Sequence, residues 1–171
     1  MVVIDATILL LLLRPESGGP LDSNTGQPVT QVKERIDFLI ETLEKSRTRL
    51  IVPTPALSEV LVRAEPSDAP RIVEEINKAA VFYIASFDAL AAIEVAAMTR
   101  TAISRGDKKS GSQETWAKVK YDRQIVAIAR VAQASVIYSD DRGIRALAKG
   151  AEISVVGIAD LPLPPKIAQP E

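Results

Sequence analysis

The chain opens with an apolar run, Met1–Leu13, whose one charged residue is Asp5. A continuous apolar run is typical of a strand buried on both faces, as in the centre of a parallel sheet. We therefore predict the first strand over Met1–Leu13, interrupted by Asp5 where the strand ends and the chain turns into a helix. Ligands of open parallel sheets collect at the carboxyl ends of the strands, and a carboxylate buried there needs a cation or hydrogen bonds.

Further along, helical periods and short apolar runs alternate. Helical spacing, with caps expected at Thr30 and Ser86, predicts helices from Val32, over Thr54–Ala64, after Pro70, and over Asp88–Ser104, Tyr121–Ala134 and Arg142–Lys149. Short apolar runs predict strands at Leu50–Val52, Val81–Ala85, Ser135–Ser139 and Ile153–Val156. Polar stretches at Arg14–Gln31 and Gly106–Thr115 are predicted loops. Strands that alternate with helices imply an α/β sandwich on a parallel sheet with right-handed crossovers.

Composition restricts the chemistry. The 171 residues carry a net charge of −1 and predict one domain over 1–160, followed by a Pro-rich tail over 161–171. Histidine and cysteine are absent, which excludes a Ser-His-Asp triad, thiolate chemistry and histidine- or cysteine-bound zinc. An enzyme with this composition has to use oxygen ligands, which favour Mg²⁺ or Mn²⁺. The first apolar run is too short for a membrane span, so we expect a soluble, cytoplasmic protein.

Acidic residues mark the candidate site. Asp5 follows the first strand, Asp140 and Asp141 follow the fourth, and Glu59 and Asp122 lie in early turns of helices that could border the same crevice. Each has a second interpretation: Asp122 would favour a helix N-terminus, Glu59 would be solvated, and Asp140 and Asp141 would be turn or cap residues. Asp5 is the hardest to explain in this way, because its neighbours on both sides are apolar.

These motifs together resemble the PIN-domain nucleases, which include the VapC-type toxins of toxin–antitoxin pairs. The matching segments are Val3–Leu9 around Asp5, Pro55–Leu61 around Glu59, Tyr121–Ala129 around Asp122, and Ile137–Asp141. Asp141 is in register with the last acid of the family pattern, and Asp140 is an extra acid beside it. The departures are Ala6, where the family has a hydroxyl residue, and the insertion Arg14–Gln31.

The resemblance implies a three-layer α/β/α sandwich around a parallel sheet of four to five strands. It also implies a metal-dependent endoribonuclease in which Mg²⁺ or Mn²⁺ is held by Asp5, Glu59, Asp122 and Asp141, with Asp140 as a further candidate ligand. Thr7 and Ser139 would orient these carboxylates. The expected partners are an RNA substrate, an antitoxin protein and a second copy in a homodimer. The alternative is a non-catalytic PIN-like module that binds nucleic acid or protein.

Basic residues around the second polar loop are candidates for RNA binding: Lys108, Lys109, Lys118, Lys120 and Arg123. They would contact phosphates, and Trp116 would stack on an unpaired base. The other interpretation is a solvated surface for the charges and a partly buried position for the tryptophan.

Two other magnesium-dependent classes fit less well. The haloacid dehalogenase pattern has a second Asp two residues after the first, where this chain has Thr7. A response-regulator receiver has its acidic pair early and a lysine late, whereas the pair Asp140–Asp141 comes late here.

Overall fold

The computed structural model contains a five-stranded sheet in which all neighbouring strands are parallel, and it describes residues 1–15, 18–22 and 25–165. The strands are β1 (Val2–Ile4), β2 (Leu50–Pro53), β3 (Phe82–Ala85), β4 (Val136–Tyr138) and β5 (Ser154–Val156). The helices in these residues are α1 (Ala6–Leu13), α2 (Val32–Lys45), α3 (Thr54–Val62), α4 (Ala69–Lys78), α5 (Ala89–Ser104), α6 (Trp116–Val131) and α7 (Arg142–Lys149). The predicted α/β class and parallel sheet are confirmed.

Helices cover both faces of the sheet, and the alternation of side chains along each strand decides which face they meet. On β1, Val2 and Ile4 join the core formed with α1, α2 and α4. Val3 points the other way, into the core formed with α5, α6 and α7. All three side chains are buried, which confirms that β1 is covered on both faces and gives the three-layer α/β/α architecture.

The strand predicted over Met1–Leu13 does not continue beyond Asp5, whereas the turn into a helix that was expected at Asp5 is confirmed. The strand ends at Ile4, Asp5 caps a helix, and the apolar residues that follow form α1. A short apolar run has no periodicity that separates a buried strand from a buried helix. Here the run belongs to a helix because α1 packs into the core between the sheet and α2, with Ile8 and Leu9 buried.

The start of one helix and the caps of two others differ from the sequence prediction. Helix α6 begins at Trp116 rather than Tyr121, since Thr115 Oγ1 accepts a hydrogen bond from Lys118 N (3.2 Å) and caps it. Asp122 therefore lies in the second turn and does not open the helix. Asp88, not Ser86, caps α5. The residue before α2 is Gln31, in the left-handed region at φ 54°, and it leaves no capping role for Thr30.

The C-terminal part of the domain packs back onto α2. Ile158 and Leu161 are buried in the core, and Arg35 donates to the backbone carbonyls of Ala159 and Leu161. Leu161 is the first residue of the predicted tail, whose residues 166–171 lie outside the described part of the chain. No helix within the described residues is long and apolar enough to cross a membrane.

Candidate active site

The order of the strands brings two acidic strand ends together. The sheet runs β3-β2-β1-β4-β5, so the chain builds outward from β1 on one side and restarts on its other side with β4. The crevice of an open parallel sheet forms at such a reversal. Asp5 follows β1 and the segment Ser139–Asp141 follows β4, so both lie at the same edge of the sheet.

Asp5 is buried at the start of α1, with 3 % of its surface exposed. Its Oδ1 accepts a hydrogen bond from Ile8 N (2.9 Å), which caps the helix. Its Oδ2 accepts one from Ser139 Oγ (2.5 Å). Burial raises the pKa of Asp5 to about 6, although these two hydrogen bonds oppose the rise. The two hydrogen bonds therefore fix the position of the Asp5 carboxylate, and its ionisation is unfavourable without a nearby cation.

Ser139 connects Asp5 to a second aspartate. Its Oγ accepts a hydrogen bond from Asp141 N (3.0 Å) while it donates to Asp5. The Asp141 carboxylate caps α7, since its Oδ1 accepts from Gly143 N (2.6 Å) and Ile144 N (3.1 Å). Asp5 at the start of α1 and Asp141 at the start of α7 therefore lie close together, and the buried Ser139 hydroxyl hydrogen-bonds to both residues.

The third acid arrives from α6. Asp122 is 1 % exposed, and its Oδ1 lies 2.5 Å from Lys118 Nζ. The same ammonium lies 2.8 Å from Asp141 Oδ2, so Lys118 bridges the two carboxylates. Asp122 Oδ2 is buried and has no hydrogen-bond partner within the described residues. An unpartnered carboxylate oxygen is unusual in a folded protein and is typical of a site that takes a cation or water.

Burial and the neighbouring charges shift the pKa values of the ionisable groups in this cluster. Burial raises the pKa of Asp122 to about 6, against the effect of Lys118. For Asp141 burial acts in the same direction, but Lys118 and the α7 amides outweigh it and hold its pKa below the usual value. Burial lowers the pKa of Lys118, but its hydrogen bonds to Asp122 and Asp141 outweigh that effect and leave it raised. The cluster is therefore two carboxylates balanced by one ammonium, with Asp5 beside them.

Gly143 makes the close approach of α6 and α7 possible, and the sequence analysis missed it. A Cβ at Gly143 would lie 2.6 Å from Asp122 Oδ2 and 3.0 Å from Asp141 Oδ1. The available signal was a glycine in the first turn of a helix, where it is unfavourable without a packing reason. Its position two residues after Asp141 also coincides with a candidate ligand.

The remaining candidates lie apart from this cluster. Glu59 is 44 % exposed and pairs with Arg63 at 3.2 Å, because its neighbours on α3 face the core. Thr7 is exposed on α1. Asp140 turns towards the segment after β5, where its Oδ1 accepts from Ile158 N (3.1 Å). Within the described residues, no three acids are grouped closely enough to hold a metal ion in this arrangement.

Of the five basic candidates, Lys118 is held by Asp122 and Asp141, and the other four divide into two kinds. Lys120 is exposed, Lys109 donates to Glu114 O (2.8 Å), and Lys108 Nζ lies 4.2 Å above the Trp116 ring. Arg123 has no exposed surface. Its guanidinium binds Lys108 O (2.6 Å), Ser110 Oγ (3.1 Å) and Thr99 Oγ1 (3.2 Å). Arg123 therefore anchors the polar loop instead of facing solvent.

The fold can be compared with solved structures. The FitAB complex bound to IR36 DNA fragment matches with a TM-score of 0.59 and 17 % identity over 95 % of this chain and 98 % of that one. VapBC2 from Rickettsia felis, bound to a promoter DNA fragment, matches with a TM-score of 0.60 and 10 % identity over 92 % and 98 %. DNA-bound VapBC from Salmonella typhimurium matches with a TM-score of 0.54 and 16 % identity over 92 % and 97 %.

The chain has a VapC-type PIN-domain fold. The match covers nearly all of each chain, and the sheet and helices agree with the three-layer sandwich that the sequence motifs implied. At these identities the likeness is one of fold. Neither protein-family models nor curated proteins give a match.

Proposed function

We propose that this PIN-fold protein is a metal-dependent endoribonuclease of the cytoplasm, acting as the toxin of a toxin–antitoxin pair. The observation that carries the proposal is the convergence of Asp5, Asp122 and Asp141 at the reversal of the sheet order. The fold likeness to the VapBC and FitAB complexes supports it.

The chemistry of the donor atoms fits a divalent cation, although within the described residues the acids are not grouped closely enough to hold one in this arrangement. The donor atoms are carboxylate oxygens, the preferred ligands of Mg²⁺ and Mn²⁺. Among the described residues Asp122 Oδ2 is buried without a partner, and an ammonium already lies between Asp122 and Asp141. Asp5, Asp122 and Asp141 would hold the ion. Glu59 would join them only after its side chain leaves Arg63, and Asp140 is the weaker candidate because its Oδ1 accepts from Ile158 N.

A bound Mg²⁺ or Mn²⁺ ion would supply the chemistry that a chain without histidine lacks, a water of lowered pKa and charge to stabilise the reacting phosphate. The protein's own residues provide position. Ser139 holds the Asp5 carboxylate, the first turns of α1 and α7 fix Asp5 and Asp141, and Gly143 leaves room for Asp122.

RNA would approach along the polar loop and the start of α6. Lys108, Lys109 and Lys120 would contact phosphates. The half-buried Trp116 would stack on a base after Lys108, whose Nζ lies over its ring, moves aside. Arg123 contributes indirectly, by holding the loop that carries Lys108.

The experiment is cleavage of a single-stranded RNA oligonucleotide that carries a fluorophore and a quencher. We expect cleavage with Mg²⁺ or Mn²⁺, none with a chelator, and a loss of at least about a hundredfold for Asp122→Asn. Asp88→Asn is the matched control, because Asp88 also caps a helix but lies outside the cluster. Equal activity of wild type and Asp122→Asn would disprove the assignment.

A second candidate is a non-catalytic interaction module. The exposed position of Glu59 and the ion pairs of Lys118 favour it, since they leave the acids without a ready cage for an ion. Binding of RNA without cleavage at any Mg²⁺ or Mn²⁺ concentration would support this candidate over the nuclease.

An antitoxin is the proposed protein partner. A groove of about 360 Å³ between α1, α2 and α4 has an apolar floor that includes Leu9 and Leu12 and a rim that includes Glu41, Glu44 and Glu75. This pattern suits an amphipathic helix with basic flanks. The product of the neighbouring reading frame is the first protein to test. Leu12→Glu is expected to weaken its binding to this chain and its inhibition of RNA cleavage.

A homodimer is also proposed, because α5 leaves Leu90 and Ile93 more than 60 % exposed. Light scattering would measure the molar mass in solution and so distinguish a monomer from a dimer.

A further inference from the structure

One cation is already built into the acidic cluster. Lys118 extends from the first turn of α6 and reaches both Asp122 Oδ1 (2.5 Å) and Asp141 Oδ2 (2.8 Å). It contacts acids from two different helices, and its side chain is 37 % exposed. A four-carbon stem that is partly in solvent can turn outward without moving the backbone.

The ammonium satisfies the cluster only in part. It pairs with one oxygen of Asp122, and the other oxygen of this carboxylate is buried with no partner in the part of the chain that the structure describes. One positive charge faces two carboxylates, with the buried Asp5 linked to them through Ser139. A divalent ion at the same place would match this charge better, but it would be repelled by an ammonium that remained within 3 Å of both acids.

We infer that Lys118 is a tethered counterion. Its ammonium occupies the place between Asp122 and Asp141 where the divalent ion would bind, and it must leave these acids before the ion binds. Lys118 thereby sets the affinity of the site for Mg²⁺ or Mn²⁺. Once released, its ammonium turns towards solvent, to which the side chain is already 37 % exposed. The inference rests on the proposed metal site, but not on RNA being the substrate.

The test compares Lys118→Met, which keeps the stem and removes the charge, with Lys120→Met, an exposed lysine of the same helix that makes no ion pair within the described residues. We expect Mn²⁺ to bind Lys118→Met at least about tenfold more tightly than wild type, measured by calorimetry. Lys120→Met should bind Mn²⁺ like wild type. Lys118→Arg keeps the competing charge and should not gain affinity.

A second readout reports on the ammonium itself. In wild type the hydrogen-bonded Lys118 Nζ should give a protected ¹H–¹⁵N signal in a chelating buffer, and Mg²⁺ should abolish that protection. In the same buffer Lys118→Met should melt at a lower temperature than wild type, and Mn²⁺ should restore it. If Lys118→Met does not fold, this signal in wild type still decides the question.

The outcomes separate this inference from the proposed function. If wild type binds Mn²⁺ but Lys118→Met binds it equally or more weakly, or if the Lys118 signal persists with Mg²⁺, the inference is wrong and the nuclease proposal stands. If Lys118→Met gains affinity but wild type cleaves no RNA, the inference stands and the nuclease proposal falls. If wild type and Lys118→Met both fail to bind either ion, both are wrong.

Discussion

Asp5 should make the folded protein less stable as the pH rises. Burial raises its pKa in the folded state to about 6, against an ordinary value of 3.8. Between these two values the folded chain holds a proton that the unfolded chain has released. Raising the pH through this window therefore favours unfolding. The contribution of the Asp5 proton to the free energy of unfolding is fully present below about pH 4 and is lost by about pH 6 to 7.

The size of the effect follows from the two pKa values. They differ by about 2, and each pKa unit corresponds to about 1.4 kcal/mol, so Asp5 alone should lower the free energy of unfolding by about 3 kcal/mol across the window. Little screening by solvent is expected, because the side chain is 3 % exposed. Asp5→Asn removes the ionisation and keeps an amide oxygen that can still cap α1 through Ile8 N.

The assay is urea unfolding followed by the fluorescence of the single tryptophan, at pH values from 4 to 7 in a chelating buffer. The free energy of unfolding of Asp5→Asn minus that of wild type should rise with pH by about 3 kcal/mol. Asp88→Asn serves as control, because Asp88 caps α5 with a bond of the same length, to Ala91 N at 2.9 Å, but is exposed. A difference between Asp5→Asn and wild type that stays constant or falls with pH would refute the reasoning.

Two further substitutions test the packing around the site. Gly143→Ala should place a methyl group 2.6 Å from Asp122 Oδ2, so we expect at least about a tenfold loss of Mn²⁺ affinity in calorimetry. Gly150→Ala, where a Cβ meets nothing nearer than 3.6 Å, is the control and should bind as wild type does. Arg123→Met should remove the anchors of the loop 106–115 and lower the free energy of unfolding by about 1–3 kcal/mol. Limited trypsin digestion should then cut that loop faster than in wild type, and an unchanged digestion rate would show that the loop is held by other contacts.

Much of the fold follows from local patterns. Apolar residues at helical spacing predicted α2 and α7 closely, and short apolar runs predicted β2 to β5 within one or two residues of their ends. The errors lie where the local signal is ambiguous. The run after Asp5 is apolar at every position except Thr7, so it has no period that favours a helix over a strand. At α6 the first turn, Trp116–Val119, was left out of the predicted helix because its cap, Thr115, was assigned to the preceding loop.

The candidate site likewise has features that could be predicted from the sequence and features that could not. From the order of residues alone it follows that acids end β1 and β4, that histidine and cysteine chemistry is excluded, and that oxygen ligands are the remaining option. The three-dimensional packing was needed to show that Lys118 bridges Asp122 and Asp141, and that Gly143 leaves room for Asp122. It was also needed to show that Glu59 faces solvent. The physical reason is that periodicity shows which face of an element is apolar, whereas contacts between polar side chains depend on the strand order and on how closely two helices approach.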